Sequence, residues 1–287
     1  MHQAMDTFSW IPLTSIDPEE IKYARIQLHQ SIQNVSAVGR KFLDQSAGDV
    51  NATLTWVPGH RRMAGKWVKG DISFRSSISL EEFTIYLVDE KVQTLSSFNC
   101  NDKTQTQLML WLEEQIGKFG LEAKNLTLNL PYELPKEVLE VGNPFDLESL
   151  RGAKELTKYF HNAYITIREF REQFSAAGEI NIWPHHFDMA MNVLLRDTGD
   201  PETNTQISLG MSPGDDQFES PYFYVNCWPH VDTRNLPQLS NNAMWISEEW
   251  TGAVLLSKHL QNAKNQEDIT RTFLAEASTI LMNDLTK

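Results

Sequence analysis

Residues 170–188 read FREQFSAAGEINIWPHHFD, and the change of rhythm inside them decides the fold. Phe170 and Phe174 close an apolar stripe that began with Leu150, Ala153, Leu156, Phe160, Ala163 and Ile167. Steps of three and four residues mark a helix with one buried face. Gly178 ends it, and from Glu179 onward the chain reads as strand. Residues 42–50, FLDQSAGDV, make the same transition earlier, and each copy runs on to tryptophan, proline and histidine. The first continues Trp56-Val57-Pro58-Gly59-His60, the second Trp183-Pro184-His185-His186. An internal duplication and two independent helix–glycine–strand junctions both fit this pattern.

Working outward, Asp17-Pro18-Glu19-Glu20 is a helix start: a capping acid, a proline at the first position and acids at the positive end of the dipole. Ile21, Ala24, Leu28, Ile32, Val35, Gly39 and Phe42 then predict a long helix ending at Gly48. Alternation from Val50 to Phe98 predicts antiparallel strands, with a hairpin turn at residues 88–92. Asp102 is expected to cap a closing helix carrying Leu108, Trp111, Leu112, Ile116 and Phe119. Residues 121–147, with three prolines and little periodicity, read as a linker. Beyond it, strands are expected near 179–195, 205–211, 221–228, 243–247 and 251–257, then a helix from about Asn265. The fold class is α+β in two similar modules, 1–120 and 148–287, each a long helix, an antiparallel sheet and a closing helix.

The 287 residues carry a net charge of −13, which disfavours a nucleic-acid or anionic-membrane partner. Cys100 and Cys227 are the only cysteines and sit far apart in sequence, so no disulfide framework is expected. No signal-peptide pattern opens the sequence and no stretch approaches a membrane span, so a cytoplasmic setting is expected.

Candidate chemistry concentrates in Trp183-Pro184-His185-His186-Phe187-Asp188, Ser212-Pro213-Gly214-Asp215-Asp216 and Trp228-Pro229-His230-Val231-Asp232. If residues 180–190 are one strand, His186 and Asp188 share a face and His185 points away. If the chain stays extended past Pro229, His230 and Asp232 pair in the same way. His186, Asp188 and His230 could then ligate zinc or iron, with Asp215 assisting. The candidate catalytic set is His186, Asp188 and Asp215. The candidate ligand-binding set is Trp183, His185, Trp228, His60 and Arg62. Metal-assisted hydrolysis, metal-free acid–base work, binding of a small polar molecule, and plain packing all remain open. Pro213-Gly214 suits the centre of a turn, and Gly210-Met211-Ser212-Pro213-Gly214 matches a nucleophile motif only in letters, because a strand is expected to follow. His60, Arg61, Arg62 and Lys66 form either a solvated loop or an anion contact.

Trp183-Pro184-His185-His186-Phe187-Asp188, Ser212-Pro213-Gly214-Asp215 and Trp250-Thr251-Gly252-Ala253-Val254-Leu255 resemble motifs of a bacterial family known as a domain of unknown function. The likeness is densest over residues 180–256 and brings no activity, substrate or cofactor with it. More thinly, His186-x-Asp188 with His230 and Arg234 resembles the iron triad of cupin-type oxygenases. That family needs about eight strands in a double-stranded helix, whereas the strands expected here fall in two groups between helices.

Overall fold

The computed structural model describes residues 8–45, 47–124, 126–134, 142–147, 149–200, 203–248 and 250–287. It is an α+β protein with four α-helices and two antiparallel six-stranded sheets among those residues. In chain order these are α1 (Pro18–Phe42), β1 (Thr55–Val57), β2 (Arg62–Ala64), β3 (Val68–Lys69), β4 (Ser73–Ser79), β5 (Thr84–Asp89), β6 (Thr94–Asn99) and α2 (Gln105–Gly117). They continue with α3 (Arg151–Arg171), β7 (Asn181–Trp183), β8 (Asp188–Arg196), β9 (Thr205–Ser212), β10 (Tyr222–Trp228), β11 (Met244–Ile246), β12 (Gly252–Leu256) and α4 (Gln266–Leu285). Helix, six strands, helix is thus read twice along the chain. The compact units divide the chain less simply. One comprises Asp17–Thr157 with Ile182–Phe187; the other comprises the described residues of Met1–Ile16, Lys158–Asn181 and Asp188–Lys287.

In the first unit the sheet runs β1-β2-β4-β5-β6, with β3 beside β4. Asp17 caps α1 by accepting from the Glu19 N–H, with proline opening the first turn. The helix does not reach Gly48. It stops at Phe42, and Leu43 is already extended at φ −113°. The reason is at Gly39: a Cβ there would stand 2.2 Å from the carbonyl oxygen of Asn51. The 3-10 segment Ala47–Ala52 folds back on α1, and the helix must end early enough to let it return. Ala37 and Val38 pack with Val68, Phe74, Leu87, Leu112 and Ile116. The hairpin at residues 88–92 is present, closed by Asp89 accepting from the N–H groups of Lys91 and Gln93. The second helix is capped by Thr104 and Gln107 in a reciprocal capping box, two residues after the expected Asp102. Asp102 sits instead at φ 58° in the preceding turn. The described part of residues 121–147 lies against this unit, with Ala123, Leu126, Phe145 and Leu147 buried.

In the second unit the sheet order is β11-β12-β10-β9-β8-β7. Alternation splits the residues of β8, β9 and β10 between two faces. Met189, Met191, Val193, Ile207, Leu209, Met211, Phe223 and Val225 are buried on one, where the apolar side of α4 (Phe273, Leu274, Ala277, Leu281) completes a core. Asp188, Asn192, Ser208, Gly210, Ser212, Tyr222 and Tyr224 fall on the other. No described helix is long and apolar enough to cross a membrane.

Candidate functional site

The first correction concerns the histidine motif itself. Residues 180–190 are not one strand: β7 ends at Trp183, residues 184–187 form a turn, and β8 begins at Asp188. The turn is closed by the Phe187 N–H donating to the Trp183 carbonyl at 2.8 Å. Phe187 takes φ 57°, a left-handed conformation that a bulky side chain rarely adopts. Its ring is fully buried and stacks on His29 at 5.4 Å, which holds the strained turn in place. Alternation therefore does not apply across residues 184–187.

What positions the turn is a polar stripe on α1 that the sequence reading did not single out. Arg25, His29, Gln33, Ser36 and Arg40 recur at steps of four, four, three and four, so they share one side of the helix. Four of them are buried and Arg40 is nearly so. The Pro184 carbonyl accepts from His29 Nε2 at 2.8 Å and from Gln33 Nε2 at 2.7 Å. A carbonyl only accepts, so Nε2 carries the proton of the neutral His29 ring. Burial pushes the His29 imidazole down to about 4, and the charge of Arg25 adds to the fall. Gln33 Oε1 accepts from the Tyr132 hydroxyl at 2.8 Å, and that hydroxyl accepts from Arg40 Nη2 at 3.2 Å. Arg40 then grips Asp49 through Nη2 at 2.7 Å and Nε at 3.4 Å. Burial works against its charge, but Asp49 and Tyr132 offset this and the guanidinium stays protonated.

His185 stands at the tip of the turn over this chain of bonds. Its ring lies 5.6 Å from Tyr132, 5.8 Å from Trp183 and 4.3 Å from His186. Burial pushes its imidazole down to about 4, His186 adds to the fall, and the Asp49 carboxylate opposes it. His185 is half-buried, while His186 is exposed. Among the described residues nothing hydrogen-bonds either nitrogen of His185. The result is a neutral imidazole between a phenol and an indole, beside an Arg–Asp pair.

Asp188 and Asp215 belong to the second unit and form a different arrangement. Asp188 Oδ2 accepts from the Tyr224 hydroxyl at 2.5 Å, and Asp215 Oδ2 accepts from the Tyr222 hydroxyl at 2.5 Å. Burial, then the facing carboxylates, push both phenols above their ordinary range. Asp215 Oδ1 accepts from the N–H groups of Gln217 and Phe218, so this carboxylate also pins the 212–218 loop. Ser212 leads from strand to loop to strand, as the nucleophile reading requires it not to.

The remaining candidates lie apart. β10 ends at Trp228, which is itself 42% exposed, so it walls no interior. His230 is exposed against the Trp228 ring, and the chain does not stay extended: Asp232 caps a 3-10 turn and pairs with Arg234 at 2.7 Å. His60 is exposed. Arg62 lies over the Tyr86 ring at 3.4 Å and within 4.0 Å of Glu82. Among the described residues no group of three or more His, Cys, Asp or Glu side chains converges as a metal site would, so the His186, Asp188 and His230 set gains nothing from the geometry. Arg40, Asp49, Gln33, His29 and Tyr132 were missed by the sequence reading. The available signal was that residues 27–39 contain no Lys, Arg, Asp or Glu, which is unusual for a solvated helix face.

Comparison with protein-family models, with curated proteins and with solved structures gives no match for this chain.

Proposed function

We propose that this protein binds a small polar molecule at the His185 site without carrying out chemistry on it. The observation behind this reading is His185 itself. The ring is half-buried among aromatic side chains, and its nitrogens bond no protein group among the described residues, so they are open to a ligand. Tyr132 and Trp183 add aromatic walls, and Gln33 with the Arg40–Asp49 pair adds fixed polar groups, the usual make-up of a small-molecule site. A histidine near 4 is neutral at physiological pH and a weak base, which favours hydrogen bonding to a ligand over proton abstraction. Metal-assisted hydrolysis has no comparable observation in its favour.

Saturation-transfer NMR with a library of polar fragments, run on the full chain and on His185→Ala, tests the reading. Fragments that bind the natural protein and are lost in the folded variant support it. Equal binding by both proteins, or none by either, overturns it. We also read the twice-repeated helix–sheet–helix order as an internal duplication, and the motifs around residues 183, 212 and 250 as membership of the bacterial family they resemble. A cytoplasmic setting belongs to the same reading.

A further inference from the structure

The sheet of the first unit ends on β6, an edge that carries neither charge nor proline. β6 spans six residues, against three each for β1, β7 and β11, the strands that end the two sheets elsewhere. Natural proteins blunt an edge of that length with charges, a proline or a covering element. Residues 92–101, VQTLSSFNCN, contain no charged side chain, although the chain as a whole carries −13. Among the described residues no strand or bridge pairs with the outer side of β6, and Thr94, Leu95, Ser97 and Asn99 are exposed. The Cys100 N–H donates to the Phe83 carbonyl at 2.9 Å, on the β5 side. Backbone groups of successive strand residues point to opposite edges, so Ser96 and Phe98 also bond toward β5, while Ser97 and Asn99 aim their N–H and C=O groups outward. Phe98 lies half-buried against the half-buried Trp111 of α2, with ring centroids 5.2 Å apart. A register shift leaves Leu95 without a partner on β5 and confines the regular edge to residues 96–100.

We infer that β6 is a homodimer edge, on which a second copy of this chain pairs antiparallel about a two-fold axis at Phe98. That register sets Ser97 opposite Asn99 of the second copy, and Asn99 opposite its Ser97. Each outward N–H then meets an outward C=O, giving four bonds across the axis. The two Phe98 rings stand directly opposite each other at the close spacing of a non-hydrogen-bonded pair, with Trp111 of each copy beside them. Aromatic cross-strand pairs of this kind stabilise a sheet. Charge and symmetry make the occupant a second copy. Two chains of −13 repel over most of their surfaces, and residues 92–101 are where they approach without bringing like charges together. A basic segment of another protein would find no acid in residues 92–101 to pair with. The axis uses each β6 once, so the assembly closes at two copies and their sheets continue into one another.

Sedimentation equilibrium of the untagged full-length protein tests this, over about 1 to about 100 μM and at low and high sodium chloride. The natural chain should reach twice its own mass, and the dimer should tighten as salt screens the repulsion between copies. Ser97→Pro removes an outward N–H that bonds nothing on β5, so the chain keeps its own sheet, as edge strands tolerate proline there. Two bonds across the axis are lost, and the dissociation constant should rise at least about tenfold. Circular dichroism shows that the variant folds. Ser97→Asp, which sets like charges on both sides of the axis, carries the test if Ser97→Pro fails to fold. Met244→Lys is the control, because Met244 is 40% exposed on β11 at an end of the other sheet, and it should leave the dimer unchanged. A monomer at every concentration and salt would overturn the inference. So would a dimer untouched by the Ser97 variants, a dimer lost in Met244→Lys, or an assembly larger than two.

Discussion

Tyr224 reaches across a whole strand to donate its hydroxyl proton to Asp188. Tyr224 lies on β10 and Asp188 opens β8, with β9 between them. The residue beneath the ring is Gly210, paired with Tyr224 on one side and Ala190 on the other. A Cβ at position 210 would stand 2.3 Å from the ring carbon Cζ. The glycine is thus a seat for the phenol: only without a side chain on β9 can the two outer strands be joined.

Gly210→Ala should therefore do more than add a methyl group. The ring cannot stay, so the variant suffers overpacking and loses the bond to Asp188, together roughly 2–5 kcal/mol. Tyr224→Phe keeps the packing and removes only the donor to a half-buried carboxylate, roughly 1–3 kcal/mol. Urea unfolding of the two variants checks the order. Equal losses would show that the seat is unimportant.

Acid should destabilise the protein well before its carboxylates titrate. His29 and His185 are held neutral in the fold, each pushed from 6.5 down to about 4 chiefly by burial. Between those values the unfolded chain takes up protons that the folded one refuses, so stability falls as pH falls through that window and is fully present above it. For the buried His29 alone the loss amounts to roughly 3 kcal/mol, at about 1.4 kcal/mol per pH unit. His185, half-exposed, adds less. His29→Gln can still donate to the Pro184 carbonyl but cannot titrate. Urea midpoints at pH 7, 6 and 5 should accordingly fall less steeply for the variant, and an unchanged slope would exclude His29 as the source.

His230→Ala should change neither stability nor ligand binding. The ring is exposed and its neighbour is the equally outward Trp228, 5.0 Å away. Surface substitutions of this kind move the melting temperature by no more than about 1–2 °C. A loss of fragment binding in this variant would return His230 to the site.

The elements were legible where periodicity had a single cause. Strands 205–212, 222–228 and 252–256 lie close to where alternation and the flanking turn residues put them. Two misreadings came from places where tertiary structure overrides the local pattern. Pro184-His185-His186-Phe187 turns without the glycine or asparagine that announces a left-handed residue, because the Phe187 ring stacks on His29, from a helix far earlier in the chain. The polar side of α1 resembles a solvated face except that residues 27–39 carry no Lys, Arg, Asp or Glu, so Gln33 and Ser36 went unnoticed beside the louder Trp-Pro-His motifs. His185 was found by its neighbours in sequence; Tyr132 and Asp49, which give it its setting, come from segments with no motif at all.

The same stacking yields a prediction with two opposed contributions. Phe187→Gly would relieve the left-handed strain, a gain of roughly 1 kcal/mol. It would also empty the space of a fully buried ring stacked on His29, and removing a buried phenylalanine costs roughly 3–5 kcal/mol. The cavity outweighs the strain, so the variant should be less stable by roughly 2–4 kcal/mol, and the turn that presents His185 should loosen. Calorimetric unfolding measures the first effect, and the His185 ring resonances in a histidine-labelled sample report the second. A variant as stable as the natural protein would mean that the buried ring contributes little, and the positioning of His185 would then need another source.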